Sequence, residues 1–369
     1  MIFTKSYKFC LRPKVKEKIL CSQFAGASRW IYNRGLAERD ALWKKEKRSV
    51  SLFEQNNALI SLKSQKETSW LGEIHSQVLQ QALDDLNKAF KNFFQRVKNK
   101  ETPGYPRFRC KGEHDSFRYP QGVRVKGAYV WLPKIGWIKF HKSREIEGKI
   151  KQTTVIQENS KWYVCFSCEI EKEVEEAKHD SIVGIDVGLE HFATIASSEG
   201  MQEIENPHFF KKHLLKIKHL SRKVSKKKIR SNNRLRAKCK LARCHATIRN
   251  QRKDFLHKLS THIVKNHDVI VIESLKVKEL LKKAPRYLAR AISDAGWREY
   301  LQMLKYKCVE AGKKLLEVGQ YFPSTKQCYQ CKKRNELSLS EREYQCSCGY
   351  KIHRDHNAAL NLRAAGMSV

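Results

Sequence analysis

From Pro13 to about Lys100 the apolar residues recur at helical spacing. Between Ser76 and Lys98, Leu79, Leu83, Leu86, Phe90, Phe93 and Val97 follow at three- and four-residue steps, which predicts a helix with one apolar stripe. Lys88 and Lys91 fall off that stripe, on the side a helix offers to solvent or to phosphate. Thr102-Pro103-Gly104-Tyr105-Pro106 ends the helical period. Beyond it, Phe117 to Tyr119, Tyr129 to Leu132, Trp137 to Phe140 and Thr154 to Glu169 are short aromatic and β-branched runs that predict strands. Glu158-Asn159-Ser160 divides the last of them as a hairpin turn. Several strands at such short intervals predict a small barrel. Cys165 and Cys168 sit three apart in one of these runs, so their thiols should point to opposite faces, and a shared metal is not expected.

After an acidic linker, Glu169 to Asp180, apolar runs alternate with long helices, the pattern of an α/β domain. Ser181-Ile182-Val183-Gly184-Ile185-Asp186-Val187-Gly188 and Asp268-Val269-Ile270-Val271-Ile272-Glu273 are apolar runs that each lead into a carboxylate. Continuous apolarity predicts strands buried on both faces. Between them, residues 211–253 hold 18 Lys or Arg and no Asp or Glu, including Lys226, Lys227, Lys228, Arg230 and Arg234. A solvated helix face normally mixes both signs, so this stretch is expected to track phosphates. Leu214, Ile217, Leu220, Leu241, Ile248, Phe255 and Leu259 should dock its helices on the sheet.

Charge sharpens this picture. The length of 369 residues suggests two or three domains, and 74 Lys and Arg against 38 Asp and Glu, a formal net charge of +36, imply a polyanionic partner. Basic residues interleave with aromatics in Phe117-Arg118-Tyr119, so Arg118 and Tyr119 are candidates for phosphate and base contacts. No run approaches 18 apolar residues, and the opening Met1 to Ser6 lacks a signal-peptide core, so an intracellular protein with no membrane partner is expected. Four of 12 cysteines fall within 21 residues: Cys328-x-x-Cys331 and Cys346-x-Cys348. Two close thiol pairs suit one tetrahedral Zn²⁺, closed and therefore structural. Acids at the ends of buried strands need neutralising. A salt bridge to one of the many lysines would serve for Asp186 or Glu273 alone; brought together with Asp355, which follows the cysteine loop in His353-Arg354-Asp355-His356-Asn357, they could hold two Mg²⁺ for phosphodiester hydrolysis, a gathering that the spacing alone does not establish. Composition alone equally permits a zinc-ribbon RNA-binding protein without enzymatic role.

Gly184-Ile185-Asp186-Val187-Gly188, Val271-Ile272-Glu273-Ser274-Leu275, Ser293-Asp294-Ala295-Gly296-Trp297, Ser324-Thr325-x-x-Cys328-x-x-Cys331 and Asp355-x-Asn357-Ala358-Ala359-x-Asn361 occur in one order that resembles the TnpB (OrfB) family of insertion-sequence proteins, compact relatives of type V CRISPR effectors. Tyr7-Lys8-Phe9-x-Leu11-x-Pro13, Tyr32-Asn33-x-x-Leu36 and Phe117-Arg118-Tyr119-Pro120 extend the likeness to the N-terminal part. The resemblance implies a multidomain α+β protein: a WED-like β-barrel (1–12 and 113–178) with an inserted helical REC-like recognition lobe (13–112), then an RNase H-like RuvC domain (179–323 and 350–369) carrying a zinc ribbon (324–349). It implies an RNA-guided endonuclease of the prokaryotic cytoplasm and nucleoid, with catalytic, Mg²⁺-binding Asp186, Glu273 and Asp355. Its partners would be a guide RNA from the transposon end and double-stranded target DNA beside a short adjacent motif. Gln80, at the start of a helix in the recognition lobe, is a candidate reader of adenine in that motif. The chain departs from the family in the C-x-C pair and in His353, where another Asp is frequent. A nuclease-silent RNA-guided repressor and a transposase accessory protein are the rival readings.

Overall fold

Strand β1, Ile2–Leu11, forms because Tyr7, Phe9 and Leu11 alternate with polar residues and bury at every second position. The computed structural model of the chain describes residues 1–113, 115–175, 180–319, 322–336, 338 and 341–367. Residues 176–179 of the expected acidic linker, and 114, 320, 321, 337, 339, 340, 368 and 369 of the expected domain ranges, lie outside them. The chain divides into two compact units, Met1–Lys172 and Glu173–Val369.

In the first unit β1 leads into helices α1 (Val15–Glu46), α2 (Leu52–Ser64) and α3 (Ser76–Lys98), with a 3₁₀ turn at Ser69–Glu73 before α3. Ser51 caps α2: its hydroxyl accepts from the Glu54 N–H while the Glu54 carboxylate accepts from the Ser51 N–H. The stripe of α3 is buried as far as Leu86, and Val97 at its end is exposed. Six strands follow: β2 (Ser116–Tyr119), β3 (Arg124–Lys126), β4 (Tyr129–Leu132), β5 (Gly136–His141), β6 (Lys149–Glu158) and β7 (Lys161–Glu171). Asn159 and Ser160 join β6 to β7 with φ of 50° and 67°, and both positive values belong to the tight turn whose twist matches a two-residue hairpin.

The expected small barrel is corrected to an open, seven-stranded antiparallel sheet of order β2-β6-β7-β1-β5-β4-β3. Among the described residues no ladder joins β2 to β3. The core gives the reason. Phe24 and Ile31 of α1 and Val78, Leu79 and Leu83 of α3 bury in one cluster with Phe117, Val155 and Phe166 of the sheet, so helices cover the apolar face that closure would otherwise have hidden.

The second unit begins with an antiparallel meander, β8 (Ile182–Val187), β9 (His191–Ser197) and β10 (Gly200–Glu205). Helices α4 (Phe209–Ser225) and α5 (Asn232–Asn266) follow, then β11 (Val269–Glu273), α6 (Val277–Lys283), α7 (Arg286–Ala295), α8 (Trp297–Ala311) and β12 (Lys314–Val318). A two-stranded ribbon, β13 (Glu343–Gln345) and β14 (Lys351–His353), leads into α9 (Arg354–Met367). The sheet order is β10-β9-β8-β11-β12, with β11 parallel to both β8 and β12.

The unbroken apolar runs have two covers. Ile270 and Ile272 pack with Leu256 of α5 and Leu304 of α8, whereas Val269 and Val271 pack with Leu362 of α9. The apolar stripe of the basic helices is divided differently from the expected docking. Ile217, Leu220, Leu241 and Ile248 pack α4 against α5, and only further along do Phe255 and Leu259 join the sheet's core. No helix among the described residues is long and apolar enough to cross a membrane.

Candidate functional site

Strand parity decides where the acids point. On β8, Val183 and Ile185 lie in the core under α5 and α8, while Gly184 lies against α9, so Asp186 shares the α9 face. On β11, Val269 and Val271 also face α9, and Glu273 continues that series. The parallel register pairs Ile185 with Ile272, so the next residues, Asp186 and Glu273, stand level on neighbouring strands.

Asp355 arrives on α9. A Cβ on Gly184 would lie 2.2 Å from the Ala359 carbonyl oxygen and 2.4 Å from the Arg363 nitrogen, so only glycine lets the helix backbone rest on the strand there. A second close approach sets Gly366 against Val271 and Ile182. Positions 359 to 363 sit over residue 184 and position 366 over residue 182, so α9 runs antiparallel to β8. Its first turn, with Asp355, therefore lies toward the strand end that carries Asp186.

Electrostatics agree with this gathering. Burial first, then the charges of Asp355 and Glu273, push the Asp186 carboxyl up to about 8; Arg354 opposes the rise. Burial also raises Glu273. Arg354 Nε lies 3.4 Å from an Asp355 oxygen. Three carboxylates with one cation beside them are the donor set of a hard divalent ion, and such an ion would relieve the repulsion that raises Asp186. A cavity of about 390 Å³ opens beside Glu273 with a mixed lining: Lys276, Lys278, Arg298 and Lys305 alternate with Glu279 and Glu317, and Lys305 pairs with Glu317 at 2.7 Å and Lys276 with Glu279 at 3.8 Å.

The four cysteines predicted as a zinc set converge. Cys328 Sγ is 3.8 Å from Cys348 Sγ and Cys331 Sγ 3.4 Å from Cys346 Sγ, and all four sulfurs lie within 4.8 Å of one another. Each pair sits on a tight turn. The Cys328 N–H donates to the Lys333 carbonyl and the Lys332 N–H to that of Cys328; the Cys346 N–H donates to Tyr350 and the Gly349 N–H to Cys346. Gly349, at φ 87°, supplies the left-handed position that the short C-x-C turn needs. The Cys348 backbone N–H pulls the Cys346 thiol down to about 6, while at Cys348 the pull of the Tyr350 backbone N–H is outweighed by hydrogen bonding with the neighbouring sulfurs, which pushes that thiol up to about 12, so the clustered thiols share their protons unequally.

Two buried residues that sequence reasoning left without a role tie this loop to α9. Asn357 accepts from the Tyr329 N–H and donates to the Gln327 carbonyl, and Asn361 donates to the carbonyls of Ser324 and Gln327. Their signal was two asparagines four apart on one face of a helix, where amides are unusual without partners. Asp294 likewise proves to be a cap, accepting from the Phe210 and Lys211 N–H groups at the start of α4.

The nucleic-acid candidates separate into two groups. Tyr119 is fully buried and its hydroxyl donates to the Pro133 carbonyl, while Arg118 is engaged by Asp84 and Asp85, so both serve the core rather than a surface. Lys88 pairs with Asp84 at 2.7 Å, and one guanidinium nitrogen of Arg234 donates to the Lys227 carbonyl. Lys226, Lys227, Lys228 and Arg230 are exposed where α4 turns into α5, and Gln80 and Lys91 are exposed on α3.

Comparison with known proteins adds the following. The sequence profile of OrfB_IS605, described as "Probable transposase", matches residues 165–284, and that of the "Cas12f1-like, TNB domain" matches 297–362. A "Helix-turn-helix domain" profile of the same OrfB group matches residues 1–48, which here form β1 and the single helix α1. A protein of Escherichia coli K12, InsQ, is 36% identical over 99% of this chain and 93% of its own length. A protein of Streptomyces pristinaespiralis is 35% identical over 99% of this chain and 90% of its own length. Both carry the name "Putative RNA-guided DNA endonuclease". The fold is similar to that in the Cas12f1-sgRNA-target DNA complex, with a TM-score of 0.61 at 14% identity over 98% of this chain and 99% of the other. It is also similar to the mini-RNA-guided endonuclease CRISPR-Cas_phi3, with a TM-score of 0.55 at 10% identity over 99% of this chain and 92% of the other.

Proposed function

The chain belongs to the TnpB (OrfB) family of transposon-encoded proteins, relatives of the type V effectors, and we propose that it is an RNA-guided DNA endonuclease whose hydrolytic centre is Asp186, Glu273 and Asp355. The observation that carries the assignment is the level register of Asp186 and Glu273 under the first turn of α9. The sheet order β10-β9-β8-β11-β12, three antiparallel strands followed by two parallel ones, supports an RNase H-like, RuvC-type domain.

Asp186 and Glu273 present carboxylate oxygens from rigid neighbouring strands, and Asp355 faces them from a helix held by two glycine contacts. The chemistry supplied by two bound Mg²⁺ is activation of a water and stabilisation of the leaving oxygen of a phosphodiester. Among the protein's own groups, Arg354 balances part of the negative charge, and Arg298 in the cavity beside Glu273 is placed to meet a phosphate. Cys328, Cys331, Cys346 and Cys348 would hold a structural Zn²⁺, whose bonds would stiffen the loop that Asn357 and Asn361 bind; those two asparagines tie the loop to α9.

Guide RNA from the transposon end selects the target by base pairing, beside a short motif that the first unit reads, with Gln80 and Lys91 exposed for that contact. The exposed Lys226, Lys227, Lys228 and Arg230 contact the backbone of guide or target. The site of action is the prokaryotic cytoplasm and nucleoid. Asp186→Ala tests the centre: cutting of guide-matched DNA falls below detection, while RNA and DNA binding stay within about threefold of wild type. Cutting at the wild-type rate removes the assignment.

A further inference from the structure

A second group of metal-ligating side chains lies within the same unit, and neither the acids nor the cysteines use it. Glu203 stands on β10, at the edge of the sheet, with His191 as its diagonal neighbour on β9. His191 Nε2 is 3.6 Å from one Glu203 oxygen, and His356 Nε2, from the first turn of α9, is 2.7 Å from the other. His353, the last residue of β14, completes the group. Glu203, His353 and His356 each bring one donor atom within 4.8 Å of the others, and the two histidine rings have centroids 5.4 Å apart.

Three imidazoles around one carboxylate are more than a single ion pair needs. Nδ1 of His353 and Nδ1 of His191 are both buried and without a hydrogen-bond partner among the described residues, which an ordinary polar cluster avoids. Donors about 2.0–2.2 Å from a tetrahedral Zn²⁺ stand about 3.3–3.6 Å from one another. The 2.7 and 3.6 Å separations, each to a different oxygen of Glu203, lie near that spacing; Glu203, His353 and His356 gather within 4.8 Å, while His191 stands outside that set and would have to turn in to join it. Imidazole with carboxylate suits zinc, cobalt or nickel, whereas magnesium and calcium take oxygen-rich sets.

We propose that Glu203, His353 and His356, with His191 as fourth donor, form a transition-metal site of the zinc class, separate from both the carboxylate centre and the four-cysteine site. The ion would join the β9–β10 edge to the start of α9 and act as a clamp. Asp355 lies between His353 and His356 in sequence, so the four donors are positioning residues for the turn that carries it. The inference rests on geometry alone and does not depend on the nuclease reading.

The test is metal content. The full chain is purified, loaded with Zn²⁺ and dialysed, and bound zinc is counted by mass spectrometry. Two zinc ions per chain are expected in wild type and one in His353→Asn/His356→Asn. Glu203→Gln, a change at a partly exposed side chain, should also lower the count to one, which guards against misfolding of the double variant. Replacing zinc with Co²⁺ separates the sites: thiolate charge-transfer absorption from the cysteine set should persist in both variants, while the weaker visible bands of the nitrogen and oxygen site disappear. One zinc in wild type, or two in the variants, overturns the proposal.

Discussion

Asp186 is held among like charges, and its titration has a consequence for stability. Its carboxyl is pushed up to about 8, against an ordinary aspartate value of about 4. Between those values the folded chain without divalent cations keeps a proton that the unfolded chain has released. Stability therefore falls as pH rises through that window, by at most about 1.4 kcal/mol per unit. Asp186→Asn, which copies the protonated acid in shape, should melt several degrees above wild type at pH 8 in chelator, and the two should converge only below about pH 4, the unfolded value. Thermal melts at both pH values check this; equal melting at pH 8 would contradict the electrostatic reading of the site. In the sequence, Asp186 and Glu273 stood out because continuous apolar runs showed where their strands end. That both face α9 was hidden, because parity names two faces without saying which helix covers each. The same limit explains Tyr119 and Arg118: their short alternating run revealed two faces, but the aspartates that engage Arg118 lie far earlier, on α3.

Among the elements, α9 does the most to assemble the site, and it does so through contacts that only backbone can make. Gly184→Ala would drive a Cβ into the Ala359 carbonyl and the Arg363 nitrogen, so the helix must lift. The expected cost is about 1–3 kcal/mol of stability, as for overpacking elsewhere. Single-turnover cutting should fall by on the order of a hundredfold, as for a misplacement of about 1 Å, although no acid has been altered. Gly72→Ala, where an added Cβ meets nothing within 4 Å, is the control and should behave as wild type. Cutting by Gly184→Ala equal to that control would mean that the position of α9 does not govern the site. Local pattern gave the hairpin at Asn159-Ser160 and the strands around it. It could not show that Ile217 and Ile248 pack α4 against α5, because a stripe tells that a face is covered and not by what. The roles of Asn357 and Asn361 were hidden for a related reason: their partners are backbone carbonyls of the preceding cysteine loop, which carry no sequence signal.

At the scale of the whole molecule, a formal charge of +36 on 369 residues is a self-repulsion that a bound polyanion relieves. Binding to the folded chain then contributes directly to its stability. Under the proposed function an RNA partner would have a structural as well as a targeting role, and the exposed lysines between α4 and α5 a reason to remain free of acids. The measurement that tests this most directly starts by expressing the chain with its flanking insertion-sequence DNA, purifying it and sequencing the RNA that comes with it. The complex is then incubated with Mg²⁺ and DNA matched or unmatched to that RNA. Discrete RNA from the transposon end, with cutting confined to matched DNA and lost in Asp186→Ala, is the predicted result. No discrete RNA, or cutting indifferent to the match, would contradict an RNA-guided endonuclease.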